Sequence, residues 1–261
     1  MSNRTPALRL VVLPVSPWSE RAKWALDHHH LVYETIEHAP FLGELRLRRI
    51  AGTRKPTVPL LIAGRQTITE SWDIARYADR EGRGATLIPA EREREVREWN
   101  DLADATKRQG RALIVSGMLA SPEALDEGFP PNVPAGLRPV LRPVARFGTK
   151  WFSRKYDLNL DEQAKQTEAL KAAFVTLREA LAKSSPYLLG EFSYADIVMA
   201  TCLQAVSPVD DRYLRIGPAT RKVWTRPDLA TEFADLVAWR DGIYERHRRP
   251  VPQVTGVPAD A

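Results

Sequence analysis

Five of the six residues in Leu8-Arg9-Leu10-Val11-Val12-Leu13 are aliphatic. So short and unbroken an apolar run, rich in valine and leucine, reads as a buried strand. Immediately after it, Ser16-Pro17 opens a pattern in which Ala22, Ala25, Leu26 and His29 recur at helical spacing. Proline has no N–H to lose and a preset φ. It therefore suits the first helical position and makes Ser16 the N-cap residue. Residues 31–37 alternate apolar and polar, as a half-buried strand does. Strand, helix and strand within about thirty residues make a βαβ unit with parallel strands and a right-handed crossover. A hydroxyl at the front of such a helix faces unpaired backbone N–H groups and the positive end of the helix dipole, surroundings that stabilise an anion.

Further along, residues 40–51 predict a short basic helix ended by Gly52, residues 57–62 a strand, and Ala63-Gly64-Arg65 a hairpin turn into residues 66–69. Pro59 opens that strand. A trans bond is the ordinary expectation, whereas a cis bond would turn the Val58 N–H and C=O away from the sheet. Glu70-Ser71 precedes a helical face of Ile74, Ala75 and Ala78, with Ser71 as N-cap and a second anion-stabilising helix start. Residues 81–89 are rich in breakers and read as a linker.

Beyond the linker no comparable strand signal follows, and the pattern is helical throughout. A long helix over residues 91–116 carries Val96, Trp99, Leu102 and Leu113. Residues 121–136 are proline-rich and are expected to form an ordered loop or lid rather than a helix. Arg138, Arg142, Arg146, Lys150 and Arg154, at intervals of four, draw a basic stripe expected to be a solvated outer face over an apolar inner one. Pro139 and Pro143 are expected to disturb its first turns. Asn159 and Glu162 are expected to cap the next helix, which carries Leu170, Phe174, Leu177 and Leu181. Ser193 with Asp196 makes a capping box for a buried helix, and a last helix spans residues 228–246 before a mobile tail.

Composition narrows the chemistry. With 44% hydrophobic and 27% charged residues the chain is ordinary for a soluble globular protein. No run of 18 apolar residues and no signal-like N-terminus is present, so the expected location is cytoplasmic, with no membrane partner. The single cysteine, Cys202, excludes an internal disulfide and a thiolate-rich zinc site, and reads as a small core residue. His28-His29-His30 point in different directions on a helix and cannot converge on one metal, so no metal is expected. The net charge of +5 permits anionic ligands without requiring nucleic acid, and no nucleic-acid partner is expected. Neither serine lies in a Gly-x-Ser-x-Gly elbow, which argues against a serine hydrolase.

Ser16-Pro17-Trp18-Ser19 with Arg21, then Thr57-Val58-Pro59, then Glu70-Ser71 with Asp73-Ile74 closely resembles the N-terminal domain of cytosolic glutathione transferases, most nearly the serine-using tau, theta and zeta classes. Residues 187–197 resemble that family's second-domain signature. The resemblance implies an α/β thioredoxin-like N-terminal domain (residues 1–82), a linker (83–90) and an all-α C-terminal domain (91–261) with an insertion at about residues 121–156. It implies a cis bond at Pro59, Val58 pairing through its backbone with the cysteinyl part of glutathione, and Glu70 and Ser71 holding the γ-glutamyl end. Arg54 and Lys55 are the nearest candidates for the glycyl carboxylate. Trp18, Trp99, Arg108 and Arg111 are candidate walls of an electrophile pocket. Glutathione is then the co-substrate, a small electrophile the second substrate, a homodimer the assembly and detoxification the role. Ser16 would donate to the sulfur. Cysteine there would form a mixed disulfide, so serine points to conjugation, peroxide reduction or dehalogenation. The competing reading is a glutathione-transferase-like binding or scaffold protein without turnover.

Overall fold

The computed structural model describes residues 8–130 and 133–251. Its first layer comprises β1 (Leu8–Val12), α1 (Pro17–His28), β2 (Tyr33–Glu37), α2 (Glu44–Ala51), β3 (Leu60–Ala63), β4 (Gln66–Ile68) and α3 (Ser71–Glu81). The sheet order is β2-β1-β3-β4, with β1 parallel to β2 and antiparallel to β3, and β3 antiparallel to β4. Alternation along the strands explains why the sheet is covered on both sides. Leu10, Val12 and Leu61 face the main core with Ala22, Leu26, Ile74 and Ala78 of α1 and α3. Val11, Leu60 and Ile62 face the other way, onto Leu47 of α2. Gly52 ends α2 at φ +65°, where a side chain would be strained.

The remainder is helical: α4 (Glu93–Ala120), α5 (Pro122–Glu127), α6 (Arg138–Lys155), α7 (Gln163–Ser184), α8 (Tyr194–Cys202), α9 (Pro218–Trp224), α10 (Pro227–Glu232) and α11 (Ala234–His247). Helix α8 is buried along its whole length, between α4, α1 and α11. Close packing of α4 depends on Gly110, where a Cβ would lie 2.5 Å from that of Ala205. The segment between α3 and α4 is pinned by Asp79, which accepts from the N–H groups of Leu87 and Ile88 at 2.8 and 2.9 Å and pairs with His29 at 2.6 Å.

Several expectations need correction. Ser71 is the first residue of α3, and Glu70 occupies the cap position. Residues 121–136 contain a helix: Ser121 accepts from the Ala124 N–H at 3.2 Å and starts α5. The helix α6 runs through Pro143, with the neighbouring Arg142 chelated by Asp126 at 2.9 and 2.6 Å and Pro139 placed in the first turn. The outer face of α6 is not simply basic, since Val140, Val144 and Phe147 are exposed. Asn159 accepts from the Asp161 N–H, while Glu162 takes the cap position of α7. The last helix is broken at Phe233 into α10 and α11. Val58-Pro59 is cis, as the resemblance implies and against the ordinary trans expectation, and Ser185-Pro186 is cis as well. The expected mobile tail lies largely outside the described residues.

One buried clamp braces the helical part and another ties it to α1. Asp196 accepts from the Leu188 and Ser193 N–H groups, each at 2.9 Å, and from the Ser193 hydroxyl at 3.1 Å, all buried. The expected capping box is therefore present. Arg248, beyond α11, inserts between Glu20 and Asp27 of α1, with Nε 2.7 Å from Glu20. Burial alone would raise the Glu20 carboxyl, but Arg248 and Lys23 outweigh it and hold it at about 2.

Asp196→Ala orphans two buried N–H groups and is expected to cost about 2–4 kcal/mol, measured by urea unfolding. The depressed Glu20 carboxyl contributes stability that is fully present above its ordinary pKa of 4.5 and is lost as pH falls from there towards 2. Urea unfolding at stepped pH should show that loss in the wild type. In Arg248→Met, already destabilised at pH 7 by about 3–5 kcal/mol, the acid-dependent part should shrink.

Candidate active site

The strand register brings three motifs to one edge. Val11 pairs with Leu60 across β1 and β3, and Leu61 with Ile68 across β3 and β4. Continuing those registers sets Val58 opposite Leu13, and Glu70 opposite Pro59. The turn leading to Ser16, the Val58-Pro59 segment and the start of α3 therefore share the end of the sheet where β1 finishes.

Ser16 is 7% exposed, and its N–H closes a turn on the Leu13 carbonyl at 2.9 Å. Its hydroxyl accepts no capping bond from the first turn of α1 and lines a cavity of about 350 Å³. Ser121, the other Ser-Pro helix start, spends its hydroxyl on a backbone N–H, whereas Ser16 keeps its own. Ser19 is fully buried and accepts from the Leu13 N–H at 3.1 Å, a structural role.

The cavity runs from Ser16, Pro17 and Trp18 across Lys107, Arg111 and Ile114 of α4 to Phe152 of α6, Thr201 and Cys202 of α8, and Trp224 of α9. Of the expected pocket walls, Trp18 and Arg111 line this cavity. Trp99 packs against the core instead, and Arg108 lies on a different side of α4, donating to the Asp104 carbonyl at 3.3 Å. Glu70 is exposed at the start of α3 and Ser71 is buried there. Desolvation and the nearby Asp104 and Asp73 carboxylates push the Glu70 carboxyl up, against Arg97. Val58 packs beside the small cluster under α2, while Arg54 and Lys55 are exposed on the loop beyond that helix.

Behind the wall lies a buried polar network. Arg21, fully buried, donates to Asp104 at 2.7 Å, to Asn100 at 3.2 Å and to Thr201 at 3.4 Å. Asp104 also accepts from the Trp18 indole at 2.9 Å. Burial opposes ionisation of Asp104, but Arg21 and Lys107 prevail and hold its carboxyl below the usual range. Lys107, 3% exposed, donates to the Val198 carbonyl at 3.1 Å. Its burial, with Arg21 and Arg111 adding to the effect, pushes it well down. Burial likewise brings Arg111 down to about 10, still a cation at neutral pH. Sequence reasoning missed Lys107 and Asp104. Asp104, Lys107 and Arg111 follow a helical spacing of three and four, but Arg108 lies four after Asp104 and three before Arg111, so spacing alone does not tell which of them line the cavity. Cys202 is buried with its thiol near the Ala103 carbonyl, away from any thiolate-forming role.

Comparison with curated protein sequences gives no match. A family model described as the glutathione S-transferase N-terminal domain matches residues 15–81, and one described as the C-terminal domain matches residues 136–242. Among solved structures, a Methylobacillus flagellatus glutathione S-transferase with glutathione bound is 15% identical, with 94% of this chain and 100% of that one covered at a TM-score of 0.58. The glutathione transferase GSTFuA2 of Phanerochaete chrysosporium is also 15% identical, covering 94% and 99%, at 0.63. The β-etherase LigF of a Sphingobium species is 21% identical, covering 91% and 95%, at 0.56. The small mixed sheet followed by a helical domain is thus the glutathione transferase architecture. With both domain models matched in chain order over that fold, the chain belongs to the glutathione S-transferase family.

Proposed function

We propose that the protein is an active glutathione transferase in which Ser16 ionises the glutathione thiol for attack on a small electrophile. Residues 1–82 form the glutathione-binding unit in this reading, and residues 91–261 supply most of the electrophile pocket. The observation that carries it is the unspent Ser16 hydroxyl at the start of α1, opening onto a cavity. A thiol of ordinary pKa near 8.5 is mostly protonated at neutral pH, and lowering it by two units needs about 2.7 kcal/mol. A hydroxyl donating to a thiolate supplies roughly 1.5–3 kcal/mol, and the helix start adds to it. Glutathione's sulfur is the nucleophile; Ser16 remains a donor and forms no covalent bond.

The rest of the tripeptide follows the shared sheet edge. The Val58 backbone pairs with the cysteinyl segment. Ser71 and the front of α3 take the α-carboxylate, and Glu70 takes the ammonium. A bound ammonium relieves the crowding of Glu70 by Asp104 and Asp73. The glycyl carboxylate falls to Arg54 or Lys55. This reading supports conjugation over a scaffold role, because a site without turnover has no need of a free donor in that position.

Titration calorimetry with glutathione and conjugation of 1-chloro-2,4-dinitrobenzene test it together. Ser16→Ala should bind glutathione within about threefold of wild type yet lose about 10- to 100-fold in kcat/KM at pH 6.5, the loss narrowing as pH rises towards the free-thiol pKa. Absence of glutathione binding by the wild type, or equal turnover by the variant at every pH, overturns the proposal.

A further inference from the structure

Arg111 stands in the cavity wall without an acid. Its guanidinium lies 4.1 Å from the Trp18 ring centroid, 4.4 Å from that of Tyr156 and 5.8 Å from that of Phe152. No hydrogen bond or ion pair joins it to any of the described residues. Lys107, one turn earlier on the same face, has three protons and one acceptor, the Val198 carbonyl. The other charged groups on the lining are Arg215 and Glu127, and the Glu127 carboxylate is already spent on the N–H groups of Ala219 and Thr220 at 2.9 and 2.7 Å. The nearest further acid, Asp104, is committed to Arg21 and to the Trp18 indole. Among the described residues, then, neither Arg111 nor Lys107 is paired with a carboxylate, and burial disfavours the charged form of both.

Desolvated cations without partners are costly, and they make strong seats for an anion. Their surroundings also select its carrier. Trp18, Phe152 and Trp224 bring aromatic rings to the lining, Ile114 and Met118 are apolar, and about 350 Å³ holds a compound of one or two rings.

We propose that the electrophile is an aromatic compound bearing a carboxylate, with Arg111 and Lys107 receiving the carboxylate while Ser16 holds the attacking sulfur in the same cavity. This rests on the transferase reading and adds the substrate class. For a chloronitroaromatic acid, the thiolate adds to the ring carbon bearing chlorine, the C–S bond forms, the C–Cl bond breaks and chloride leaves. The thiol proton has already gone to solvent on ionisation.

The test compares 4-chloro-3,5-dinitrobenzoate with its methyl ester, which shares the reacting carbon and lacks the charge. Wild type should favour the acid by roughly 10- to 100-fold in kcat/KM over the solution preference of glutathione itself. Arg111→Gln should collapse that ratio to near the solution value, Lys107→Met should lower it, and Arg111→Lys should restore part of it. Thermal unfolding and glutathione affinity, measured on each variant, separate this from loss of the fold. A wild-type ratio equal to the solution value, or a ratio that Arg111→Gln leaves unchanged, overturns the inference while conjugation of either compound leaves the transferase reading standing. Loss of glutathione affinity in Arg111→Gln with the ratio unchanged overturns it too, assigning the cation to glutathione's own carboxylate. If neither compound is turned over, quenching of tryptophan fluorescence by 3,5-dinitrobenzoate still decides. Quenching weakened at least tenfold in Arg111→Gln supports the anion seat, and no quenching in the wild type overturns it.

Discussion

One buried ion pair sets the geometry of the cleft. Arg21 is withdrawn wholly from water, which costs several kcal/mol unless its donors are met, and the groups that meet Nε and Nη1 come from other elements: Asn100 and Asp104 on α4, and Thr201 on α8, with Nη2 left unpaired. Helix α1 can satisfy that guanidinium only in one rotation and one height against the helical layer. The same helix carries Ser16 at its front and Trp18 in its first turn, and the Trp18 indole is tied to the same Asp104. The distance from the free hydroxyl to the cationic wall is therefore fixed by a charged contact behind the wall. Such a pair adds little net stability over an apolar one, and its consequence here is register.

Charge balance follows from that arrangement. Asp104 is the carboxylate nearest to Lys107 and Arg111 on their helical face, yet Arg21 claims it first. With Asp104 held from behind by Arg21, no carboxylate among the described residues hydrogen-bonds Arg111 or Lys107, whose ammonium form burial already disfavours. Their potential acts on anything anionic there, the sulfur included, and in a partly desolvated space it reaches further than in water. Stabilisation of a thiolate would thus be shared between the Ser16 hydroxyl, the front of α1 and this wall, each supplying part of the 2–3 kcal/mol required.

What the sequence makes legible is what is local. The run at residues 8–13 is buried on both faces at Leu10, Val11 and Val12 and reads as an interior strand, and Ser193 with Asp196 sits three residues apart where a capping box requires it. The cis bond at Val58-Pro59 followed from family likeness, since base rates alone favour trans. Burial of charge was not legible. Asp104, Lys107 and Arg111 at helical spacing look like a solvated face until α1 and α6 close over it, and the residues that enclose them are remote in the chain. Helix α5 escaped notice for a different reason. Counting prolines over residues 121–136 outweighed Ser121-Pro122, the same start signal that marked α1.

Those two Ser-Pro starts show how identical local sequence acquires different chemistry. At Ser121 the hydroxyl turns onto the Ala124 N–H and the helix start is closed. Before α1, the turn is held by other groups: the Ser16 N–H bonds the Leu13 carbonyl, and the Ser19 hydroxyl receives the Leu13 N–H. The capping task has moved three residues along, and it stabilises the preceding turn rather than the helix. The Trp18 and Ser19 N–H groups have no acceptor within their own helix, and the Ser16 hydroxyl has no bond of its own to keep. Leaving a helix start uncapped costs about 1 kcal/mol in the empty protein. In the proposed reading an anion seated there recovers that cost on binding, so the same local defect that weakens the free chain would sharpen its preference for the ionised form of a bound thiol.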